Sequence, residues 1–430
     1  MAETVAETFR GERVGDCYTR IKHSSGLTIL LYPKEHCSTT YVVFGTRYGS
    51  IDNCFQRSDE PAPETVPEGI AHYLEHKLFE SEEGDAFDRF AKTGANANAF
   101  TSFESTCYLF SCTDKLYDSL EILLDFVQSP YFTDETVQKE QGIIGQEIKM
   151  YDDDPQWRVM FNYLKAMYHS HPIREDIAGT VESIAKITPD LLYRCYHTFY
   201  NLGNMVLALA GNFDTEKVLE TCDKLLKPAE PVTVRRVFPE EPDSVVNAQV
   251  EERLSVALPL FQFGFKEPEG SKPRSEKDLA ATEILLETMA SESSSLFRDL
   301  LDRGLINESS FSYEYFEGSG YATVMFSGES KDPQAVAQAI LREAQRFRKE
   351  GIPLEAFERS KRALYGEIIA SLNSTGSIAN GLVNMSLKGR ELFTYIDALA
   401  NVRPEDGAEK LEKIFREEQS VLSTIWPIEQ

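Results

Sequence analysis

The sequence predicts an α+β protein made of two homologous domains, and three observations carry that prediction. At 430 residues the chain exceeds the ~100–200 residues of an ordinary domain. Near its midpoint, residues 227–246 read KPAEPVTVRRVFPEEPDSVV, and Pro228, Pro231, Pro239 and Pro242 make that run a helix-breaking, extended connection. On either side a similar order recurs: an apolar strand pattern, a helix, another strand and a long amphipathic helix. Placing Glu147-Ile148 on Glu367-Ile368 aligns the long helices at an offset of 220 residues. A duplicated α+β unit explains this better than coincidence. The expected division is 1–227, a linker at 228–245, and 246–430.

Taken in order, Leu27–Tyr32, Tyr41–Gly45 and Met205–Ala210 are apolar runs of strand length rich in β-branched and aromatic residues. Segment 51–68 holds prolines and acids without periodicity and is expected to be a loop that delivers the chain to the next helix. In the first half TCYLFSCTDKLYDSLEILLDFV leads to DETVQKEQGIIGQEIKMYDDD. In the second, YATVMFSGESKDPQAVAQAILREAQRF leads to LEAFERSKRALYGEIIASLNS. Gly211-Asn-Phe-Asp214 is a turn before a helix.

Composition removes several function classes. A formal charge of −26 argues against a nucleic-acid partner, since phosphate binding needs clustered Lys and Arg. No apolar run approaches the ~18 residues of a membrane span, and the polar, acidic start MAETVAETFRGERVG has no signal-peptide pattern. A cytoplasmic location is expected. Seven cysteines at 17, 37, 54, 107, 112, 195 and 222 include no CxxC pair, so reduced thiols are expected.

The chemistry concentrates at His72-Tyr-Leu-Glu-His76. On a helix two histidines four residues apart lie on one face, where both imidazoles can meet one ion, with Glu75 near that face. Zinc suits such a set: imidazole and carboxylate ligands leave a position open for water, whose pKa bound zinc lowers to ~7. Glu75 alongside can take the water's proton, which makes it a general base rather than a ligand. Composition predicts roughly 0.02 chance matches to HxxEH in such a chain, so the motif is informative, but it needs a third ligand. Glu140 and Glu147 lie seven residues apart on one side of the predicted helix 139–150, and either can face the metal.

With Glu147 standing 71 residues after His76, the pattern resembles the inverted-motif zinc peptidases of the pitrilysin, insulinase and mitochondrial processing peptidase family. The resemblance implies His72, His76 and Glu147 as ligands of one zinc, Glu75 as base, and Glu140 as a second carboxylate supporting catalysis. It implies two domains, each a mainly antiparallel sheet packed with helices, facing each other across a cleft. It extends through Gly94–Ser102, Ile177–Ile184 and Asn204–Gly211. Asn96–Thr101 would then be an edge strand able to add a peptide substrate through main-chain bonds, with Asn98, Ala99 and Phe100 as substrate-binding residues.

The second half departs from the family. Where a stretch like L-F-x-E-L-R-E-x-x-G-L-x-Y carries a substrate-binding Arg and Tyr, this chain reads Leu296-Phe-Arg-Asp-Leu-Leu-Asp-Arg-Gly-Leu-Ile-Asn307. Leu301 offers no cation and Asn307 no phenol. Arg298 and Arg303 are the candidate substitutes from a neighbouring turn. Some relatives work as two related chains, one holding zinc and the other the Arg and Tyr. The expected function is peptide-bond hydrolysis by the zinc-holding subunit of such a heterodimer. A non-catalytic assembly or peptide-binding subunit of the same fold is the alternative.

Other polar residues have plainer readings. His169 and His171, flanking Ser170, are expected in a solvated turn, His197 in a packed helix, and His23 and His36 without partners. Cys107 and Cys112 belong to core packing. Arg235-Arg236 and the basic residues of 341–362 are expected on solvated faces.

Overall fold

The computed structural model describes residues 5–82, 84–228, 230, 232–270 and 272–428; Met1–Thr4 and Pro231 of the connection lie outside the described residues. Contacts divide the chain into two compact units that do not follow its linear order. The first comprises Met1–Ile148, Asp176–Val237 and Ile369–Phe393, and the second Lys149–Glu175, Phe238–Ile368 and Thr394–Gln430.

The first unit is built on a seven-stranded sheet in the order Val5–Gly11, Asp16–Lys22, Thr28–Pro33, Met205–Gly211, Thr40–Thr46, Thr106–Cys112, Asn96–Thr101. Only Thr28–Pro33 and Met205–Gly211 pair in parallel; every other neighbour is antiparallel. Met205–Gly211 is buried at every residue, as a central strand must be, whereas Asn96–Thr101 alternates exposed and half-buried at the sheet's edge.

The second unit has a five-stranded sheet in the order Gln249–Leu254, Ser420–Pro427, Leu260–Lys266, Tyr321–Glu329, Ser312–Gly318. Again a single parallel pair, Gln249–Leu254 with Ser420–Pro427, stands beside antiparallel ones. The five strands of the first sheet from Thr28–Pro33 to Asn96–Thr101, and all five of the second, each run first, fifth, second, fourth, third in chain order. The long helices Asp134–Asp152 and Leu354–Ser371 begin 220 residues apart, the offset read from the sequence. The duplication is therefore written in topology as well as in pattern. One detail differs: no strand separates Leu116–Val127 or Pro333–Glu350 from the long helix that follows.

Each sheet receives a helix from a remote part of the chain, and a glycine admits it. In the first, Thr375–Leu387 lies so close to Gly45 that a Cβ there would approach Val383 to 2.7 Å. In the second, Pro155–Met167 lies over Gly264, where a Cβ would meet the Tyr163 hydroxyl at 2.3 Å. Both glycines follow a phenylalanine on the second strand, in chain order, of the five-strand set that the two sheets share. The Tyr163 hydroxyl is buried and bonds Thr323 Oγ1 at 2.6 Å, which satisfies its polar tip.

Several sequence readings change here. Segment 51–68 is not all loop: Cys54–Arg57 pairs with Glu64–Thr65 and Val234–Arg236 in a small sheet. Arg236 is not solvated, because it pairs with the buried Asp52, while Arg235 is exposed as expected. Cys107 and Cys112 are buried and all seven cysteines are free. Among the described residues no helix is long and apolar enough to cross a membrane.

His23 does have partners: it is buried with Nδ1 2.8 Å from Ser25 Oγ and Nε2 2.8 Å from Asp223 Oδ1. His197, expected to be packed, is exposed and stacks on Tyr193. His171 is not in a solvated turn but 1% exposed. Its Nε2 donates to the Ser319 carbonyl at 2.9 Å, and its Nδ1 accepts the Ile173 N–H at 3.1 Å. Both nitrogens are thus used by the neutral ring. Burial, only partly opposed by the Ser319 carbonyl, lowers its pKa to about 4.

A depressed imidazole pKa stabilises the fold above the unfolded value of ~6.5 and is lost as pH falls toward the folded value. His171 is therefore expected to contribute an acid-labile increment of up to ~3 kcal/mol between about pH 6.5 and 4. Denaturant unfolding of wild type and His171→Asn across that range should give a shallower loss of stability in the variant. Parallel pH slopes would remove His171 from the account.

Candidate metal centre

The motif sits on a short helix, Ile70–Leu78, buried on nearly all sides. Such a helix is fixed by packing rather than propensity. Gly69 starts it in the left-handed conformation, φ 84, and a Cβ at this position would come within 2.3 Å of the Ala178 carbonyl oxygen. Ser183 Oγ donates to the Glu68 carbonyl at 2.9 Å. Segment 177–184, singled out in the sequence without a physical role, thus buttresses the start of the motif helix.

One side of that helix meets Asp134–Asp152. His72 Nε2 lies 3.7 Å from Glu147 Oε1, and His76 Nε2 lies 3.4 Å from Glu147 Oε2. His76 Nδ1 is 3.0 Å from Glu140 Oε1. The seven-residue spacing of Glu140 and Glu147 therefore sends one carboxylate to each side of the His76 ring. His72, Glu75 and His76 each offer a ligand atom within 4.8 Å of the others.

The two imidazoles are driven in opposite directions. Burial, reinforced by the neighbouring His76, lowers His72 to about 4, so its ring is uncharged near neutral pH and keeps one nitrogen free to bind. For His76 burial acts downward too, but hydrogen bonds to Glu140 and Glu147 outweigh it and bring the ring up to about 10. Glu140 is held below the usual carboxylate range because its bond to His76 overcomes its burial. Glu75 is pushed up by burial, against the opposing pull of His76 and a hydrogen bond from Thr101. His72 Nδ1 is buried without a hydrogen-bond partner among the described residues.

These residues fit zinc. Tetrahedral ligands about 2.0–2.1 Å from a common ion stand roughly 3.3–3.4 Å apart; the Nε2-to-carboxylate separations are 3.4 and 3.7 Å. Nitrogen and carboxylate donors suit the ion, and Glu140 on Nδ1 keeps the proton there and leaves Nε2 as the donor atom.

Asn96–Thr101 passes the same helix as the sheet's outermost strand. Its partner Thr106–Cys112 covers one edge, and among the described residues no strand pairs with the other. Asn98 and Phe100 are exposed, Phe100 at 41%, while Ala99 is half-buried. Asn98 Oδ1 accepts the Ala99 N–H at 2.9 Å. The sequence missed Thr101, whose Oγ1 donates to Glu75 Oε2 at 3.1 Å. The alternation along NANAFT was the available signal, since it places Thr101 on the face opposite Phe100.

In the second unit Leu301 is exposed on Ser295–Asp302. Asn307 is occupied locally: its Nδ2 donates to Glu329 at 3.0 Å and its Oδ1 accepts the Ser310 N–H at 2.8 Å. Arg303 pairs with Asp299 at 2.9 Å, and Arg298 is exposed.

Residues 63–181 match the family model described as Insulinase (Peptidase family M16), and residues 186–364 match that described as Peptidase M16 inactive domain. A Bacillus subtilis protein described as the uncharacterized zinc protease YmfH is 40% identical over 390 residues, 90% of this chain and 91% of its own. The crystal structure of an M16-like peptidase from Alicyclobacillus acidocaldarius superposes with TM-score 0.91 at 34% identity, covering 100% of this chain and 99% of that one. A protease structure from Helicobacter pylori, at 21% identity and TM-score 0.83 over 96% of this chain and all of its own, shares the fold.

Proposed function

Because the chain belongs to the insulinase family of peptidases, M16, we propose that it hydrolyses peptide bonds of peptides or unfolded segments as a zinc metallopeptidase. The observation that carries this reading is the convergence of His72 Nε2 and His76 Nε2 on the Glu147 carboxylate, with Glu75 on the same helix. His72, His76 and Glu147 would hold the ion. Zinc, when bound, supplies the Lewis acid that makes water a nucleophile near neutral pH.

The remaining work belongs to the chain. Glu75 receives the proton given up as water attacks the scissile carbonyl, and delivers it to the leaving amine. Burial that raises the proton affinity of Glu75 favours that role. Glu140 holds the Nδ1 proton of His76 and so orients that ring. The open edge of Asn96–Thr101 accepts an extended peptide as an added strand, with Asn98, Ala99 and Phe100 along it.

Substrate holding is incomplete in this chain. With Leu301 and Asn307 at the places of the family's Arg and Tyr, the complementary groups come from a homologous partner, and the active form is a heterodimer. Adding such a partner to the zinc-loaded chain should raise cleavage of a fluorogenic peptide by ~10²-fold, the order that lost positioning costs. Equal activity without a partner would remove the heterodimer.

A further inference from the structure

We propose that Thr101 is a positioning residue for Glu75, fixing which carboxylate oxygen of the base turns toward the reacting water. The inference rests on the reading of Glu75 as base, and it concerns how that base is aimed. Thr101 ends the edge strand Asn96–Thr101, opposite Thr106 in the register with the neighbouring strand. Its Oγ1 stands 3.1 Å from Glu75 Oε2.

The direction of this hydrogen bond is set by the acceptor. Thr106 is fully buried, and its hydroxyl donates to the Tyr48 carbonyl at 2.9 Å while lying 3.4 Å from Thr101 Oγ1. A hydroxyl has one proton, and that of Thr106 goes to the nearer acceptor, the Tyr48 carbonyl; an ionised carboxylate has no proton to give, so between Thr101 and Glu75 the hydroxyl donates and the carboxylate accepts. The Thr101 proton thus points at Glu75. A β-branched side chain on a paired strand holds that direction, having few χ1 alternatives. Oε2 is thereby committed to Thr101, and Oε1 is the oxygen left to exchange a proton.

A second consequence follows from where Thr101 sits. Among the described residues, one edge of the strand it ends is unpaired. A peptide added there would order the backbone that carries the Thr101 hydroxyl, so occupation of the strand and alignment of the base are linked through one side chain.

The test compares Thr101→Val, which keeps the shape and removes the donor, with Thr101→Ser, which keeps the donor. Hydrogen bonds to charged groups set the scale, and Thr101→Val should lose roughly ten- to a hundredfold in kcat with KM and zinc content unchanged. Thr101→Ser should recover most of it. Crystal structures of the three proteins give a readout that needs no activity: Glu75 should hold one orientation in wild type and Thr101→Ser, and leave it in Thr101→Val. An unmoved Glu75 in Thr101→Val, a loss confined to KM, a loss of zinc, or Thr101→Ser no better than Thr101→Val would each overturn the assignment. Failure of wild type to cleave any peptide with zinc and partner present would instead overturn the peptidase reading, while the crystallographic comparison would still decide the role of Thr101.

Discussion

Glu75→Gln should retain zinc and lose about 10²–10⁴-fold in kcat, the range over which a positioned general base contributes. The substitution preserves length and planarity, and the Gln carbonyl can still accept the Thr101 hydroxyl that now reaches Glu75 Oε2 at 3.1 Å. What it removes is the capacity to hold a proton. No metal ligand is touched in this reading, since His72, His76 and Glu147 supply the donors. Measuring zinc stoichiometry together with single-turnover cleavage separates the two properties. A variant that keeps its metal and cleaves within a few-fold of wild type would show that Glu75 is not the base. A variant whose function survives complete loss of turnover would favour the assembly or peptide-binding alternative.

Glu147→Ala should weaken zinc binding by more than ~100-fold, the upper end of what loss of an outer hydrogen-bond partner costs. Its carboxylate faces both Nε2 atoms, at 3.7 and 3.4 Å, whereas Glu140 touches only the far nitrogen of His76 at 3.0 Å. Glu140→Ala should therefore fall within roughly ten- to a hundredfold. Competition with a chelator of known affinity measures both. If Glu140→Ala loses the metal while Glu147→Ala keeps it, the roles of the two carboxylates are reversed.

Much of this site is legible in the sequence because helices have a fixed period. The i, i+4 spacing of His72 and His76 and the i, i+7 spacing of Glu140 and Glu147 determine faces without any tertiary knowledge. Which carboxylate meets which imidazole nitrogen was not legible, because it depends on the approach of two helices some 70 residues apart in the chain. Thr101 was hidden for a related reason: a threonine ending a strand has an ordinary packing role, and only the neighbouring helix turns its hydroxyl into a partner of Glu75. The errors over His23, His171 and Arg236 share one cause. Each is a polar residue that segments distant in sequence cover wholly or in part, and Asp223, Ser319 and Asp52 supply the partners that make burial tolerable. Strand and helix existence, by contrast, followed from local apolar patterns, and the first-to-third strand order repeated in both sheets grew out of a similarity already visible at an offset of 220.

The exchange of helices over Gly45 and Gly264 bears on how such a chain must be made. Thr375–Leu387 completes a unit whose sheet is otherwise drawn from the first half of the sequence, and Pro155–Met167 completes one drawn mostly from the second. Neither half, synthesised by itself, carries all the surface needed to shield its sheet from water. The first unit cannot close its last face until residues near 380 have been made, and contacts so distant in sequence are expected to form late. A gene split at the proline-rich connection would yield two fragments with uncovered apolar strands, prone to aggregate until they meet.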